Sequence, residues 1–372
     1  MKVEELTRDA LKDLPKTVHG GQAWRLGEAE DYSHNLNPFG PPDFLREAVL
    51  SAVGEVGHYP DDSCELPRRT VAEHFGVGPE NVIIGSGSSD IIRCFPNTFL
   101  GPGDRAIISR PSFAEYSQQC RIAGAEILWN DISEEDCLRI NRRRLTSLME
   151  MGAKALYICN PNNPTGRIEP REKILDIARE CEDRGMLLFL DETLLELVHG
   201  YEDITCAGLV EEQGNILVAG SLTKSFAIPG IRIGFGIASE AMIREMEKVR
   251  MTWNVGQVEQ DVLVSLVGQH MDYVRRAAEM MHSESRRMHD ELTALGFPLD
   301  GVADGFFYFT SLRSLGVKCA EFQRRMLEHG IMVRDCASFG TPFEWYVRFS
   351  VKDRERNDAF IRAVGEVMKG LK

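Results

Sequence analysis

From about residue 68 to 240, short apolar runs alternate with segments in which apolar residues recur every three or four positions. The runs read as strands at Val82–Ile84, Arg105–Ile108, Glu126–Trp129, Ala155–Cys159, Met186–Leu190, Ile216–Ala219 and Ile231–Ile237. Between two of them, Ile174, Ile177, Ala178 and Cys181 fall at helical spacing, and Gly185 supplies the stop. Strand–helix alternation of this kind predicts an α/β domain on a largely parallel sheet.

The texture changes near Gln257. Residues 257–293 form one long helical pattern, interrupted at most briefly. An aromatic run, Phe306–Phe309, follows, then a helix near 319–329, apolar segments at Ile331–Arg334 and Trp345–Ser350, and a closing helix. This region reads as a smaller α+β domain. The division is then an N-terminal arm, 1–42, packing with the small domain; a large domain, 43–256; and the small C-terminal domain, 257–372. The Pro- and Gly-rich stretch Asn37–Pro42 is the crossing loop. The opening residues resemble a short amphipathic helix, with Leu6, Ala10 and Leu14 on one side.

Composition enters mainly by exclusion. The 372 residues are 43% hydrophobic, enough for a large core, and carry a formal net charge of −14. That acidity argues against nucleic acid or an anionic membrane surface as the main partner. A small anionic ligand must therefore find a local cationic pocket. The nine cysteines are scattered, with no C-x-x-C pair and no Cys/His cluster at zinc spacing, so they read as reduced thiols and no metal centre is expected. No stretch approaches the length of a membrane span, and the N-terminus has no apolar signal core. The expected compartment is the cytoplasm.

The densest chemistry lies in Ile216–Ser239. At the chain average of 27% charged residues, a window of this length holds about six. It holds Lys224 and Arg232, both positive, and no carboxylate. The plain alternative is a pair of surface cations at strand ends. Buried charges need partners, so a carboxylate-poor setting favours an anionic ligand. A lysine beside another cation in an apolar pocket also has the lowered pKa that a Schiff-base amine requires.

Ser221 to Gly234 reads S-x-T-K-S-F-A-x-P-G-x-R-x-G and resembles the cofactor-lysine signature of fold-type I, pyridoxal 5′-phosphate (PLP)-dependent aminotransferases. The resemblance implies the PLP-dependent transferase-like α/β fold and a Schiff base between PLP and Lys224. It also implies that Ser221, Thr223 and Arg232 hold the cofactor phosphate. Asp191 ends an apolar run, where ligands sit in open α/β sheets; it could instead cap the next element. The family places a carboxylate there against the pyridine nitrogen, which keeps the ring an electron sink.

Asn160-Pro-Asn-Asn-Pro-Thr-Gly166 is a turn by composition and resembles the family loop in which the residue at Asn163 binds the cofactor's phenolic oxygen. Gly85-Ser-Gly-Ser-Ser-Asp90 comes close to G-x-G-x-x-G, which keeps a nicotinamide-dependent oxidoreductase as a distant alternative. Asp90 at the third glycine position argues against it, because close helix–strand packing there leaves no room for a side chain. Ser88 and Ser89 then read as further phosphate donors. By the same resemblance Phe113 stacks on the cofactor ring. Tyr59 reaches the phosphate of a neighbouring subunit, which implies a homodimer with shared sites.

Two arginines bear on the substrate. Arg348 alternates with apolar neighbours in Tyr346-Val-Arg-Phe-Ser350, and a guanidinium there can bind a carboxylate or phosphate bidentately. His19-Gly-Gly21, Asn35-Leu-Asn-Pro-Phe-Gly-Pro-Pro42, the Pro-Ser-Phe-Ala-Glu-Tyr stretch and Arg334-Asp-Cys336 together are most similar to threonine-phosphate decarboxylases of cobamide (vitamin B12) biosynthesis. That similarity implies His19, Asn35 and Arg334 on the substrate phosphate and Arg348 on its carboxylate. The competing resemblance is to histidinol-phosphate aminotransferases. Leu194 stands where aminotransferases commonly carry a tyrosine that bonds the cofactor oxygen, which weighs against transamination; the decarboxylases usually carry an aromatic residue there as well.

Overall fold

Strands covered on both faces need apolar residues at consecutive positions, because neither face meets water. Ala155–Cys159, Ile216–Ser221 and Gly234–Ala238 are buried at every residue. The computed structural model describes residues 2–12, 14–16, 27 and 29–371, and these strands form the middle of its main sheet.

In chain order the strands are β1 (Glu30–Asp31), β2 (Val82–Gly85), β3 (Arg105–Arg110), β4 (Glu126–Asp131), β5 (Ala155–Cys159), β6 (Leu187–Asp191), β7 (Ile216–Ser221) and β8 (Gly234–Ala238). The later strands are β9 (Phe307–Ser311), β10 (Ile331–Met332), β11 (Arg334–Asp335) and β12 (Tyr346–Ser350). The seven-stranded sheet runs β2-β8-β7-β6-β5-β3-β4, with β8 antiparallel to both neighbours and the other pairs parallel. A small antiparallel sheet runs β11-β12-β9, and β1 pairs in parallel with β10. The expected α/β fold with a mostly parallel mixed sheet and a small C-terminal antiparallel sheet is the one observed.

Every expected strand exists, but most run further at their carboxyl ends. The β6, β7 and β3 ladders continue to Asp191, Ser221 and Arg110. Hydropathy misses these positions because their backbones pair in the sheet while their side chains are polar. The last expected strand starts later, at Gly234. Helix Arg171–Asp183 buries Ile174, Ile177, Ala178 and Cys181, the stripe read from the sequence. Gly185, at φ 66°, then turns the chain into β6.

The long helical pattern is two helices, Gln257–Gln269 and Met271–Ala294, broken at His270, whose ring stacks on Phe44 at 3.7 Å. The N-terminal residues are not an amphipathic helix. They form two short 3₁₀ turns, Val3–Leu6 and Asp9–Leu11, and Leu6 stays exposed. A helix this short is not stable without a surface for its apolar side. Further along, the chain docks firmly: Tyr32 is fully buried, its ring 4.6 Å from Phe360, and its carbonyl accepts from Ser350 N–H. Among the described residues no helix is long and apolar enough to cross a membrane, and no cluster of ligating side chains suits a metal ion.

Strand β8 presses directly on the turn after β2. A Cβ on Gly234 would lie 2.5 Å from the Ser88 nitrogen and 2.7 Å from the Gly87 carbonyl carbon, so no side chain fits between them. Backbone cannot yield as a side chain can. Gly234→Ala is expected to lower stability by about 1–3 kcal/mol, read as a shifted urea midpoint with an unchanged slope.

Candidate active site

Ligands in open α/β sheets bind beyond the carboxyl ends of the strands. Here the ends of β6 and β7 are adjacent and polar, and a cavity of about 190 Å³ opens over them. Ser221 Oγ accepts from Thr223 N–H at 3.2 Å and starts the single turn Leu222–Ser225 that carries Lys224. Asn37 clamps the other side of this turn. Its N–H donates to the Lys224 carbonyl at 3.0 Å and its Nδ2 to the Ser225 carbonyl at 2.8 Å.

The Lys224 amine has no carboxylate partner among the described residues. Burial, then the Arg348 and Arg232 guanidinium groups, push its pKa down to about 8. At one end of the chamber lie Ser88, Ser89, Ser221, Thr223 and Arg232. Ser88 opens the twelve-residue helix Ser88–Phe99, whose first N–H groups lack intrahelical partners. Arg232 lies across this helix start: a Cβ on Gly87 would meet its Nη2 at 2.5 Å, and the φ of 76° there also calls for glycine. Arg232 donates only to the Pro229 carbonyl, at 3.3 Å, and forms no ion pair among the described residues. A guanidinium, four hydroxyls and a helix start make an anion site of phosphate size.

Asp191 is the chamber's one carboxylate among the described residues. Its Oδ2 accepts from the Tyr116 hydroxyl at 2.5 Å and its Oδ1 from Thr193 N–H at 2.9 Å. Burial raises its pKa, and these two bonds oppose the rise. Phe113, Asn163 and Leu194 line the wall between this chamber and a second, outer one of about 160 Å³.

Arg348 dominates the outer chamber. It is 7% exposed; Nη1 donates to Asn163 Oδ1, Nη2 to the Ser33 carbonyl, and Nε has no partner. Burial pushes its pKa down to about 10. Arg334 stands opposite it in the β11–β12 register and donates to Ser338 Oγ at 2.8 Å. Asn35 is buried with its Oδ1 unpartnered. No carboxylate lines this chamber among the described residues.

Thus Lys224, Asp191, Ser88, Ser89, Phe113, Asn163, Ser221, Thr223, Arg232, Asn35, Arg334 and Arg348 all converge on two joined chambers. Tyr59 does not: it is 73% exposed and stacks on Trp253, ring centroids 4.3 Å apart. His19 lies outside the described residues. Sequence reasoning missed Tyr116, Thr193 and Ser338, and also His34, which lines the outer chamber. Tyr116 had a usable signal, in the same Pro-Ser-Phe-Ala-Glu-Tyr stretch as Phe113; the others had none.

The aminotransferase class I and II family matches residues 31–364. A Caldanaerobacter subterraneus protein named provisionally as a threonine-phosphate decarboxylase is 29% identical over 89% of this chain and 88% of its own. A histidinol-phosphate aminotransferase of Methanosphaera stadtmanae is 24% identical over 98% and 99%. Among solved structures, the histidinol-phosphate aminotransferase of Clostridium acetobutylicum superposes with a TM-score of 0.82, at 23% identity over 91% of this chain and 99% of that one. L-threonine-O-3-phosphate decarboxylase from Porphyromonas gingivalis gives 0.78, at 22% identity over 91% and 99%. Members of this family use PLP. The inner chamber suits that group, since it brings together an anion site, a buried carboxylate and an amine.

The electrostatics make one quantity measurable. In cofactor-free protein, acylation of Lys224 followed by mass spectrometry should titrate with a midpoint near 8, against about 10.4 for an exposed lysine. Arg232→Ala or Arg348→Ala should move the midpoint upward, since each removes a neighbouring positive charge. The family match settles what a lysine, a carboxylate and an anion site leave open on geometry alone: the chain belongs to the aminotransferase class I and II family and is a PLP-dependent enzyme.

Proposed function

We propose that this enzyme decarboxylates a phosphorylated amino acid, specifically L-threonine O-3-phosphate to (R)-1-aminopropan-2-yl phosphate in cobalamin biosynthesis. The observation that carries the reading is the outer chamber, in which Arg334 and Arg348 face each other and no carboxylate intervenes among the described residues. Two guanidinium groups suit a ligand with two anionic groups, a carboxylate and a phosphate. Histidinol phosphate has only the phosphate, while the glutamate that would partner it in transamination carries two carboxylates but no phosphate. Leu194, which lines both chambers, lacks the hydroxyl that aminotransferases commonly offer there and departs equally from the aromatic residue usual in the decarboxylases, so it favours neither reading.

Bound PLP supplies an electron sink for the pair left when a bond at the substrate's α-carbon breaks. The chain's residues do the rest. Ser88, Ser89, Ser221, Thr223 and Arg232 hold the cofactor phosphate. Phe113 packs on the ring, and Asn163, held by Arg348, positions the phenolic oxygen. Asp191 holds a proton at the ring nitrogen, steadied by Tyr116 and Thr193. Arg348 grips the substrate carboxylate; Arg334, Asn35 and His19 grip its phosphate. Fixing both ends would set which bond at the substrate's α-carbon is presented for cleavage. Lys224, whose amine titrates near pH 8, returns a proton to the α-carbon.

A homodimer fits this reading. Leu50, Val53, Val56, Tyr59, Leu66, Met251 and Trp253 are all exposed. Their two segments are joined by the Tyr59–Trp253 stack and by Trp253 N–H donating to Asp62 Oδ1 at 2.7 Å. A second copy covering them would bring Tyr59 to the partner's cofactor phosphate. The second reading, transamination of histidinol phosphate, rests on the names of several relatives.

Colour, product and affinity each test the assignment. The purified protein should be yellow, and Lys224→Ala should lose that absorbance band; a colourless protein that PLP cannot reconstitute contradicts the assignment. Threonine phosphate should release carbon dioxide, while histidinol phosphate with 2-oxoglutarate should give no glutamate; glutamate without carbon dioxide reverses the order of the two readings. Arg348→Ala should weaken substrate binding by about 2–5 kcal/mol, as expected for a desolvated partner of a carboxylate, and an unchanged dissociation constant removes it from the substrate site.

A further inference from the structure

Of the titratable side chains that line the outer chamber among the described residues, His34 is the one that neither the motifs nor the mechanism uses. It lines the chamber beside Asn35, Arg334 and Ser338. Its ring is not loose: Nδ1 lies 2.7 Å from Asp31 Oδ2. Asp31 is itself fixed, its Oδ1 accepting from Ser33 N–H at 2.7 Å and from the Ser33 hydroxyl at 2.6 Å. These bonds occupy both carboxylate oxygens and hold the acid's pKa below the usual range despite burial. A carboxylate only accepts, so the hydrogen of this pair sits on Nδ1. Nε2 is left as the polar atom available to the chamber, with no protein partner among the described residues.

We infer that His34, oriented by Asp31, is a specificity-determining residue that reads the distal anionic group of the substrate. The inference rests on the proposed reading of the outer chamber as a phosphate-accepting site. Arg334 approaches that group from β11 and Asn35 from the residue next to His34. With Nδ1 engaged by Asp31, a proton on Nε2 would give His34 a directional N–H on the same side. A bare guanidinium accepts carboxylate and phosphate alike. A further donor set at an angle favours the tetrahedral phosphate, which has three terminal oxygens against a carboxylate's two.

The test uses holoenzyme with threonine phosphate and with threonine, and calorimetric titration with inorganic phosphate. His34→Ala should raise the KM for threonine phosphate about 10- to 100-fold, as for a lost hydrogen bond to a charged group, with kcat changed less than about threefold. The KM for threonine should stay put, and affinity for inorganic phosphate should fall in parallel. His34→Gln keeps an amide donor near the Nε2 position and should recover part of the loss; it also carries the test if the alanine variant is unstable. Asp31→Asn should shift the same KM by a smaller factor, through orientation alone. Equal losses for threonine and threonine phosphate, or none for either, overturn the inference and leave His34 as a structural brace. A wild-type enzyme without preference for threonine phosphate removes the reading of the chamber, and His34's role with it. A preference that survives His34→Ala removes only His34.

Discussion

Positive charge held largely out of water, with no ion pair on Lys224 or Arg348 among the described residues, is the constraint around which this site is organised. Lys224 and Arg348 are deeply placed, and both have depressed pKa values because burial penalises the charged form. Their mutual repulsion, joined by Arg232, adds to the cost for the lysine. An anion entering the chambers relieves that cost, so the arrangement favours anionic ligands before any specific contact is counted. The isolation is unusual in a chain with a net charge of −14. Elsewhere cations meet acids readily: Arg287 alone pairs with Glu284, Glu291 and Asp358.

Shielding these cations requires walls from distant parts of the chain, and a few polar side chains tie those walls together. Arg348 on β12 reaches Asn163, in the loop after β5, and the Ser33 carbonyl after β1. Asn37 grips the Lys224 and Ser225 carbonyls, the two peptide oxygens that follow the Lys224 side chain. Tyr32 is buried against the closing helix. Residues 32–37 therefore connect the small sheet to the lysine turn, and the site is complete only with this segment docked. A substitution here acts on the chemistry although it lies far from Lys224 in sequence.

The main sheet was legible because buried parallel strands leave long apolar runs, and the stripe on helix Arg171–Asp183 because its period is unambiguous. The strand ends were less so. Asp191, Ser221 and Arg110 belong to the ladder by backbone but carry polar side chains, and hydropathy stops short of them. The break at His270 was equally hidden, since both flanking helices keep the same apolar period and the stacking with Phe44 is a contact between distant segments. At the N-terminus the opposite error arose: an amphipathic period existed without a surface to bury it.

For the site, local sequence determined which groups could take part. Lys224, Arg232, Asn163 and the serines sit in motifs whose spacing is dictated by a single turn or strand end. Such short-range geometry is set by neighbouring residues, so it can be read along the chain. What only the tertiary structure decided is which groups meet. Nothing local predicts that Tyr116 bonds Asp191, that Arg348 holds Asn163, or that the segment carrying the local Asp31–His34 pair joins Arg334 in one chamber. Those pairings depend on sheet order and on docking of the segment around residue 32, and both are long-range packing outcomes that no window of sequence contains.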